Sequence, residues 1–250
     1  PVVETDPRFH ALLRRSFPGL AVIDRQVRAE GEGAVYDYER AVPALGLTRH
    51  IHAGDLPGRY RRDRNRPSSL RGYLTADPRK VAHWRGRLAE IDGAGPLVGI
   101  CWRSMLSSGV RSVYYATLPD MLPILRVPGC RFVCLQYDEC DGELDALRRD
   151  HGIDIWRPLD LDQREDLDGV AALMSALDVV VSTATSVCVL AAAVGCETIR
   201  LAPSFYSISD GRDFFFANIT PTIRRAEVMD VRVAIERAAG LLQDRAPDPD

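Results

Sequence analysis

The chain has 250 residues, 46% of them hydrophobic, and a formal net charge of −3. This length allows one large domain or two smaller ones, and the charge excludes a global basic field that would attract nucleic acid or a membrane surface. No apolar run approaches the length of a membrane span, and no secretory signal is visible. We therefore expect a cytoplasmic protein with no nucleic-acid partner and no membrane span.

The N-terminal part, residues 1–55, shows an incomplete α/β pattern. Apolar runs at residues 2–4 and 20–24 predict strands. Helices are predicted between and after these strands, at residues 7–16 and 38–45. Two strands and two helices rarely suffice for an independent core, so this part is expected to be the tail of another α/β domain. The first residue is proline and not methionine, which suggests a piece of a longer protein.

Residues 56–94 are expected to form a linker and an interdomain helix. The stretch 56–72 is rich in proline, glycine and arginine, as is typical of an exposed linker. Nucleic-acid binding through its arginines is an alternative interpretation. The linker is favoured because the run is short and Tyr60 is its one aromatic residue for stacking on bases. Residues 77–91 predict a helix with Asp77 as N-cap and Pro78 at its first position.

From residue 95 to 243, short apolar runs alternate with helical patterns, and residues 244–250 form a tail. Such alternation predicts βαβ units and therefore a Rossmann-like, doubly wound parallel sheet. The predicted strands are residues 97–102, 131–136, 153–156, 179–182 and 198–201, and the predicted helices are residues 118–125, 142–149, 167–177, 186–194 and 231–242.

The cysteine pattern predicts buried, reduced thiols. The sequence has no CxxC pair and no Cys/His cluster with metal-ligand spacing. A metal site with Cys130 and Cys134 as two of its ligands is the alternative. It is disfavoured because Cys134 falls within a predicted core strand. We expect no metal and no cofactor. The six cysteines are Cys101, Cys130, Cys134, Cys140, Cys188 and Cys196.

Residues 177–195, LDVVVSTATSVCVLAAAVG, contain the strongest candidate for a ligand site. They predict a buried strand, a small hydroxyl-rich turn and an alanine-rich helix. Free N–H groups and the dipole at a helix N-terminus suit a phosphate, so Thr185 and Ser186 are candidate pyrophosphate ligands. An ordinary strand-to-helix connection, with one of these residues as N-cap, is the alternative.

Other candidates follow neighbouring strands of the predicted sheet, where doubly wound folds bind ligands. Arg103 follows the first strand and Arg111 lies in the loop after it. Since Lys80 is the single lysine among the 32 basic residues, anion binding has to rest on arginines, helix ends and hydroxyls. Gln136 and Tyr137 follow the second strand and are candidates to hold a base and a ribose.

The sequence assigns no catalytic residue. A Gly-x-Ser-x-Gly elbow, a Walker loop and a GxGxxG loop are all absent, which argues against an ordinary dinucleotide site. Asp166 and Asp168 lie at the start of a predicted helix. Asp166 is expected to be its N-cap and Asp168 to lie in its first turn, and a contact with a sugar hydroxyl is the alternative role. His50 and His52 follow a helical segment, and either surface positions or a general base in a cleft would fit them.

Several blocks occur in the order found in certain bacterial glycosyltransferases. The chain resembles the region that follows tetratricopeptide repeats in such proteins, over residues 1–242. It is more distantly similar to the heptosyltransferases of glycosyltransferase family 9 and to O-linked N-acetylglucosamine transferases. The blocks are VGICWRS (98–104), Arg111 with Tyr114 and Tyr115, FVCLQYD (132–138), DLDGVAALMSALDVVVSTATSV (166–187) and LAAAVG (190–195).

The resemblance implies a GT-B fold, in which residues 95–243 bind a nucleotide sugar and residues 1–55 belong to the acceptor-side domain. It implies transfer of a sugar from that donor to an unidentified protein or glycan acceptor, without a metal. The implied donor-binding residues are Arg103, Arg111, Gln136, Tyr137, Thr185 and Ser186.

The chain departs from the family's pattern at three positions near the turn. Ala184 occupies the place of an aspartate, Val189 that of a histidine, and Cys188 that of the acid that grips ribose in other relatives. The first strands of the acceptor-side domain have no counterpart in the sequence. The alternative function is therefore a catalytically silent GT-B-like binding or scaffolding module, associated with a larger chain or complex.

Overall fold

The computed structural model describes residues 1–31, 33–39, 41–60, 69–105, 115–203, 213, 215–223 and 230–245. The chain divides into two compact units, residues 1–64 and residues 65–250. In the part that the structure describes, every helix is too short or too polar to cross a bilayer.

The first unit begins with a small βαβ arrangement. Strand β1 (Val2–Thr5) pairs in parallel with β2 (Ala21–Asp24), and helix α1 (His10–Ser16) connects them. Leu12 on α1 and Val22 on β2 are buried, as expected for a helix that packs on the strands it joins. These elements confirm the predicted strands and the first predicted helix.

The rest of the first unit differs from the prediction. Strands β3 (Val27–Glu30) and β4 (Gly33–Tyr36) form an antiparallel hairpin that was not predicted. Strand β3 alternates apolar and polar residues over four positions alone, and all four of its residues are exposed. Helix α2 (Ala41–Ala44) is shorter than predicted. Helix α3 (Leu56–Tyr60) replaces the start of the predicted linker.

The second unit contains a five-stranded sheet in the order β6-β5-β7-β8-β9, and every neighbouring pair is parallel. This confirms the predicted parallel sheet. Its buried strands carry β-branched residues on both faces, as expected when helices cover both sides. The strands are β5 (Leu97–Cys101), β6 (Arg131–Cys134), β7 (Val179–Ser182), β8 (Glu197–Pro203) and β9 (Ile219–Ile223).

One strand prediction for this sheet was wrong, and one strand was not predicted. Residues 153–156 form no strand; they make a single parallel bridge between Trp156 and Val133. Pro158 follows closely and has no N–H to extend the pairing. Strand β9 was missed because Pro221 interrupts its apolar pattern, which a sheet tolerates at an edge.

Among the described residues, six helices surround the sheet, and three of them begin with an aspartate cap. The side chains of Asp77, Asp166 and Asp230 each accept a hydrogen bond from a backbone N–H in the first turn of their helix. The predicted Asp77 and Asp166 caps are thereby confirmed. The helices are α4 (Pro78–Ala89), α5 (Leu122–Leu125), α6 (Asp141–His151), α7 (Leu167–Met174), α8 (Ser186–Ala193) and α9 (Val231–Gln243).

The segment before α4 is fastened to the end of α8. The backbone N–H groups of Tyr73 and Leu74 both donate to the carbonyl of Ala193, at 2.8 Å each. Gly72 has a φ of +98°, and a Cβ at this position would lie 2.7 Å from the backbone nitrogen of Gly195. Only glycine combines this backbone conformation with so close an approach.

Candidate functional site

The strand order reverses between β5 and β7, at the point where a doubly wound sheet forms its ligand crevice. Strand β6, which follows β5 in the chain, lies on one side of β5 in the sheet. The next strand, β7, lies on the other side of β5. All five strands are parallel, so their carboxyl ends share one edge of the sheet. The residues after β5 and those between β7 and α8 therefore border the crevice.

The turn between β7 and α8 presents small residues to solvent. Ser182, Thr183 and Thr185 are buried, whereas Ala184 and Ser186 are exposed. This open corner is the arrangement that a phosphate group requires for close approach to the backbone. The structure thus places Ser186 at the start of α8 with its backbone and hydroxyl accessible.

Thr185 holds the position of N-cap without capping the helix. Its Oγ1 atom lies 3.1 Å from Ser182 Oγ and 3.8 Å from Cys101 Sγ, so the hydroxyl points into the protein. Among the described residues, no side chain caps the start of α8. The described residues therefore supply no side-chain acceptor to the first N–H groups of α8, in contrast to the aspartates that cap α4, α7 and α9.

Arg103 lies at the predicted rim, but acidic groups surround its guanidinium. Its Nε donates to Asp138 Oδ2 at 3.0 Å, its Nη1 to Glu143 Oε2 at 2.7 Å, and its Nη2 to the carbonyl of Glu139 at 3.0 Å. Burial disfavours its charge, but the hydrogen bonds that it donates to Glu143 and Asp138 outweigh burial and raise its pKa above the usual value. Contact with a diphosphate would require exchange of these partners.

Gln136 is buried and holds the loop after β5. Its Oε1 accepts hydrogen bonds from the backbone N–H groups of Trp102 and Arg103, at 3.1 and 3.2 Å. Its Nε2 donates to the carbonyl of Arg103 at 3.1 Å and to Asp138 Oδ1 at 2.7 Å. The amide expected to contact a nucleotide is therefore fully paired within the protein, and it positions the rim.

A cavity of about 300 Å³ lies beside the carboxyl end of β6. Both residues predicted to line a nucleotide pocket contribute to its wall, and the Tyr137 hydroxyl also bonds to Ser104 Oγ at 3.2 Å. Such a volume fits a nucleoside-sized ligand. Its wall includes Cys134, Gln136, Tyr137, Cys140, Arg157 and Gln163.

The charged residues in the wall of this cavity are one arginine, Arg157, and four acids, Asp138, Glu139, Asp141 and Asp162. Arg157 forms an ion pair with Asp141, whose hydrogen bond raises the pKa of the guanidinium. Asp162 accepts the backbone N–H groups of Glu165 and Arg164, which lower the pKa of its carboxyl group. The cavity is thus lined by fixed acceptors and one arginine, and it offers a polar, preorganised surface.

The remaining sequence candidates lie elsewhere. Arg111 falls outside the described residues. Asp166 caps α7, and Lys80 Nζ lies 3.3 Å from Asp166 Oδ1 and 3.1 Å from Asp168 Oδ2, so these carboxylates join α4 to α7. The histidines at positions 50 and 52 are exposed, with their rings 6.4 Å apart.

The thiols are free. The pair that lies close together is not Cys130 and Cys134, which the sequence left open as metal ligands. Cys134 lies 3.9 Å from Cys140, measured between the sulfur atoms. Within the described ranges, no group of three or more His, Cys, Asp or Glu side chains is placed to hold a metal ion.

Sequence reasoning missed the acids that engage Arg103. Asp138 and Glu143 follow β6 and begin α6, and both lie at the same sheet edge as Arg103. The run of acidic residues directly after the β6 pattern was a usable signal, because adjacent parallel strands bring the loops at their ends together.

The second unit is thus an α/β domain with a doubly wound parallel sheet and an open helix N-terminus at its crevice. No family model matches the chain. Over 198 residues it is 33% identical to Protein FlbA of Caulobacter vibrioides, a match that covers 78% of this chain and 32% of FlbA. The chain therefore spans about a third of that relative's length.

Two solved structures are similar to the chain at low sequence identity. The E. coli ADP-heptose lps heptosyltransferase II matches with a TM-score of 0.46 and 13% identity, over 68% of this chain and 53% of that protein. A glycosyl transferase family 9 protein from Veillonella parvula matches with a TM-score of 0.49 and 10% identity, over 91% and 64%. These scores are too low to support an argument about chemistry, which rests instead on the residues described above.

Proposed function

We propose that the chain is the donor-binding part of a glycosyltransferase that uses a nucleotide sugar. The observation that carries the proposal is the uncapped N-terminus of α8, exposed through Ala184 and Ser186 at the reversal of strand order. The cavity beside β6 lies on the same sheet edge and is the candidate pocket for the nucleoside. The sequence blocks shared with bacterial glycosyltransferases agree with this placement.

In this proposal the α8 N-terminus stabilises the departing nucleoside diphosphate. The N–H groups of Ser186, Val187 and Cys188 would donate to phosphate oxygens, and the helix dipole would favour the negative charge that develops on them. Fixed donors of this kind need no reorganisation during the reaction. The general base for the acceptor hydroxyl is not assigned to any described residue.

The arginines have separate parts in the proposal. Arg103 would exchange its contacts with Asp138 and Glu143 for phosphate oxygens when the donor binds, which costs two ion pairs and gains charge-assisted bonds. Arg111 would supply a second guanidinium, and Arg111→Ala is expected to weaken nucleoside-diphosphate binding by about 1–3 kcal/mol.

The test compares two substitutions at the first residue of α8. Proline is well tolerated at this helix position, and Thr185 before it has an extended conformation (φ −112°, ψ 174°) that suits a following proline. Ser186→Pro removes the hydroxyl and the backbone N–H, whereas Ser186→Ala removes the hydroxyl alone. The difference between the two variants therefore isolates the backbone donor.

The readout is the shift in melting temperature on addition of a panel of nucleoside diphosphates and nucleotide sugars, followed by calorimetry with the best ligand. We expect Ser186→Pro to bind about 1–2 kcal/mol more weakly than Ser186→Ala. Ser175→Ala, at the end of α7, is the matched control for a serine distant from the crevice. Equal affinities for the two Ser186 variants would remove the α8 N-terminus from the site.

A catalytically silent binding module is the second candidate, and specific observations favour it. Arg103 is engaged by acids, and Cys188 is buried with its pKa raised to about 11, where relatives have an acid that grips ribose. Val189 is 51% exposed where relatives carry a histidine. Absence of stabilisation by every nucleotide in the panel, in a protein that unfolds cooperatively, would favour this second function.

A further inference from the structure

We propose that Cys134 and Cys140 form a reversible disulfide that closes the loop between β6 and α6 and switches off nucleotide binding in the adjacent cavity. The regulatory part rests on the proposed function. The bond itself does not, because it follows from the position of the two thiols. It makes the pair a modification site within the candidate pocket.

The two sulfur atoms are already close. Cys134 is the last residue of β6 and Cys140 directly precedes α6, and their Sγ atoms lie 3.9 Å apart. A disulfide requires a separation of about 2.0 Å, so the atoms have to approach by about 2 Å. In the proposal, a change in the side-chain rotamer of Cys140 and a shift of the loop bring the sulfur atoms together.

The cavity is the side from which an oxidant would approach the pair. Both residues line it, and the accessible fraction of their surface is 1% for Cys134 and 4% for Cys140. A small neutral oxidant such as hydrogen peroxide fits easily into a space of about 300 Å³. The same space is the proposed pocket for the nucleoside, so bound ligand should protect the thiols.

The contact between the two thiols also changes their pKa values. A hydrogen bond between the two sulfur atoms, in which either thiol can be the donor, lowers the pKa of Cys134 and raises that of Cys140. Burial instead raises the pKa of Cys101 and of Cys196 to about 12. Since the thiolate is the reactive form, Cys134 is the expected nucleophile.

The chemistry is balanced with one peroxide molecule. The Cys134 thiolate attacks a peroxide oxygen and the O–O bond breaks, which leaves a sulfenic acid on Cys134 and releases hydroxide. The sulfur of Cys140 then attacks the Cys134 sulfur, a sulfur–sulfur bond forms, and the sulfenic oxygen leaves as water. In sum, two thiols and one hydrogen peroxide give one disulfide and two waters, and a dithiol reductant reverses the change.

The bond would alter the pocket because of what lies between the two cysteines. The enclosed loop contains Gln136, which holds the segment after β5, and Asp138, which binds Arg103. Movement of Cys140 toward Cys134 also moves the first turn of α6, which carries the Arg103 partner Glu143. We therefore expect the oxidised loop to lose the arrangement that admits a nucleotide.

The experiment treats the full chain with hydrogen peroxide, blocks remaining thiols, and measures peptide masses after trypsin digestion. Cys134 and Cys140 fall in one tryptic peptide, residues 132–148, that contains no other cysteine. We expect this peptide to lose two hydrogens on oxidation and to recover them with dithiothreitol. In parallel, the thermal shift produced by a nucleoside diphosphate should disappear on oxidation and return on reduction.

Cys140→Ala is the test variant and Cys130→Ala is the control, since Cys130 lies outside the pair. The control should still form the bond, and Cys140→Ala should keep its nucleotide response after peroxide. If residues 132–148 keep their mass under peroxide, or the nucleotide response survives bond formation, the proposal is wrong. If no nucleoside diphosphate stabilises the reduced protein, the proposed function and the regulatory role both fail, while the peptide mass still decides whether the bond exists.

Discussion

Glu143 and Arg103 form an ion pair in which Nη1 lies 2.7 Å from the carboxylate. The same carboxylate accepts a hydrogen bond from the indole Nε1 of Trp102 at 3.0 Å. One residue in the first turn of α6 therefore holds two consecutive residues that follow β5. This couples the rim of the crevice to the helix that begins beside the cavity.

We expect Glu143→Gln to strengthen nucleoside-diphosphate binding severalfold, because the guanidinium of Arg103 then has one fewer competing anion. The free energy of unfolding should fall by no more than about 1 kcal/mol, since Glu143 is 39% exposed and such ion pairs contribute little. Calorimetry and urea unfolding measure the two effects. Glu139→Gln is the control, because Arg103 contacts its backbone carbonyl. Weaker binding in Glu143→Gln would show that Glu143 positions the Arg103 guanidinium and does not compete with the nucleoside diphosphate for it.

We expect Gln136→Leu to reduce the free energy of unfolding by about 2–4 kcal/mol. The amide makes four hydrogen bonds in a buried position, and its loss leaves the N–H groups of Trp102 and Arg103 without an acceptor. Urea unfolding measures the change. Gln26→Leu is the control, because the Gln26 amide makes an exposed hydrogen bond to the carbonyl of Asp24. A loss below about 0.5 kcal/mol would contradict the role of Gln136 in fixing the rim.

Two glycine-to-alanine substitutions should have opposite effects. A Cβ at Gly95 would lie 1.8 Å from the backbone carbonyl oxygen of Gly129, so Gly95→Ala forces the backbone to move and should destabilise by about 2–3 kcal/mol. Gly240 lies inside α9 with open space around its Cβ position, so Gly240→Ala should stabilise by about 0.5–1 kcal/mol. Thermal unfolding compares the two. Similar effects of both substitutions would show that the contact between residues 95 and 129 is looser than described.

Stability should decrease at alkaline pH because of buried thiols. Burial raises the pKa of Cys101 to about 12 and that of Cys188 to about 11, above the ordinary 9.0 of the unfolded chain. Above about pH 9 the unfolded state therefore loses protons that the folded state keeps, and the free energy of unfolding falls as pH rises. Urea unfolding across this range should show a shallower slope for Cys188→Ala than for Ser175→Ala. Equal slopes would mean that the Cys188 thiol titrates alike in both states.

Much of the second unit follows from local sequence. Buried β-branched runs and capped helices define β5, β7, α4 and α7, because the same short segments specify pairing, burial and termini. The predictions failed where tertiary context decides. Strand β9 pairs at the edge of the sheet despite its proline, and the segment that ends at Trp156 is limited to one bridge.

The site was predictable as a location and less so as chemistry. Periodicity and topology place Ser186 and Arg103 at one edge of the sheet. They do not reveal that Asp138 and Glu143 form ion pairs with Arg103. Nor do they reveal that the Gln136 amide is hydrogen-bonded to the backbone of the protein itself. These pairings join residues more than thirty positions apart, and single-sequence patterns carry no information about them.

The attachment of the segment before α4 determines how the chain can be dissected. Leu70 accepts the N–H of Ala217, and the Tyr73 ring stacks on Phe216 with 5.8 Å between ring centroids. An isolated second unit that started at Asp77 would expose Phe216 and leave these backbone groups to water. Truncation before residue 69 preserves every one of these contacts, so recombinant expression of the second unit should start there.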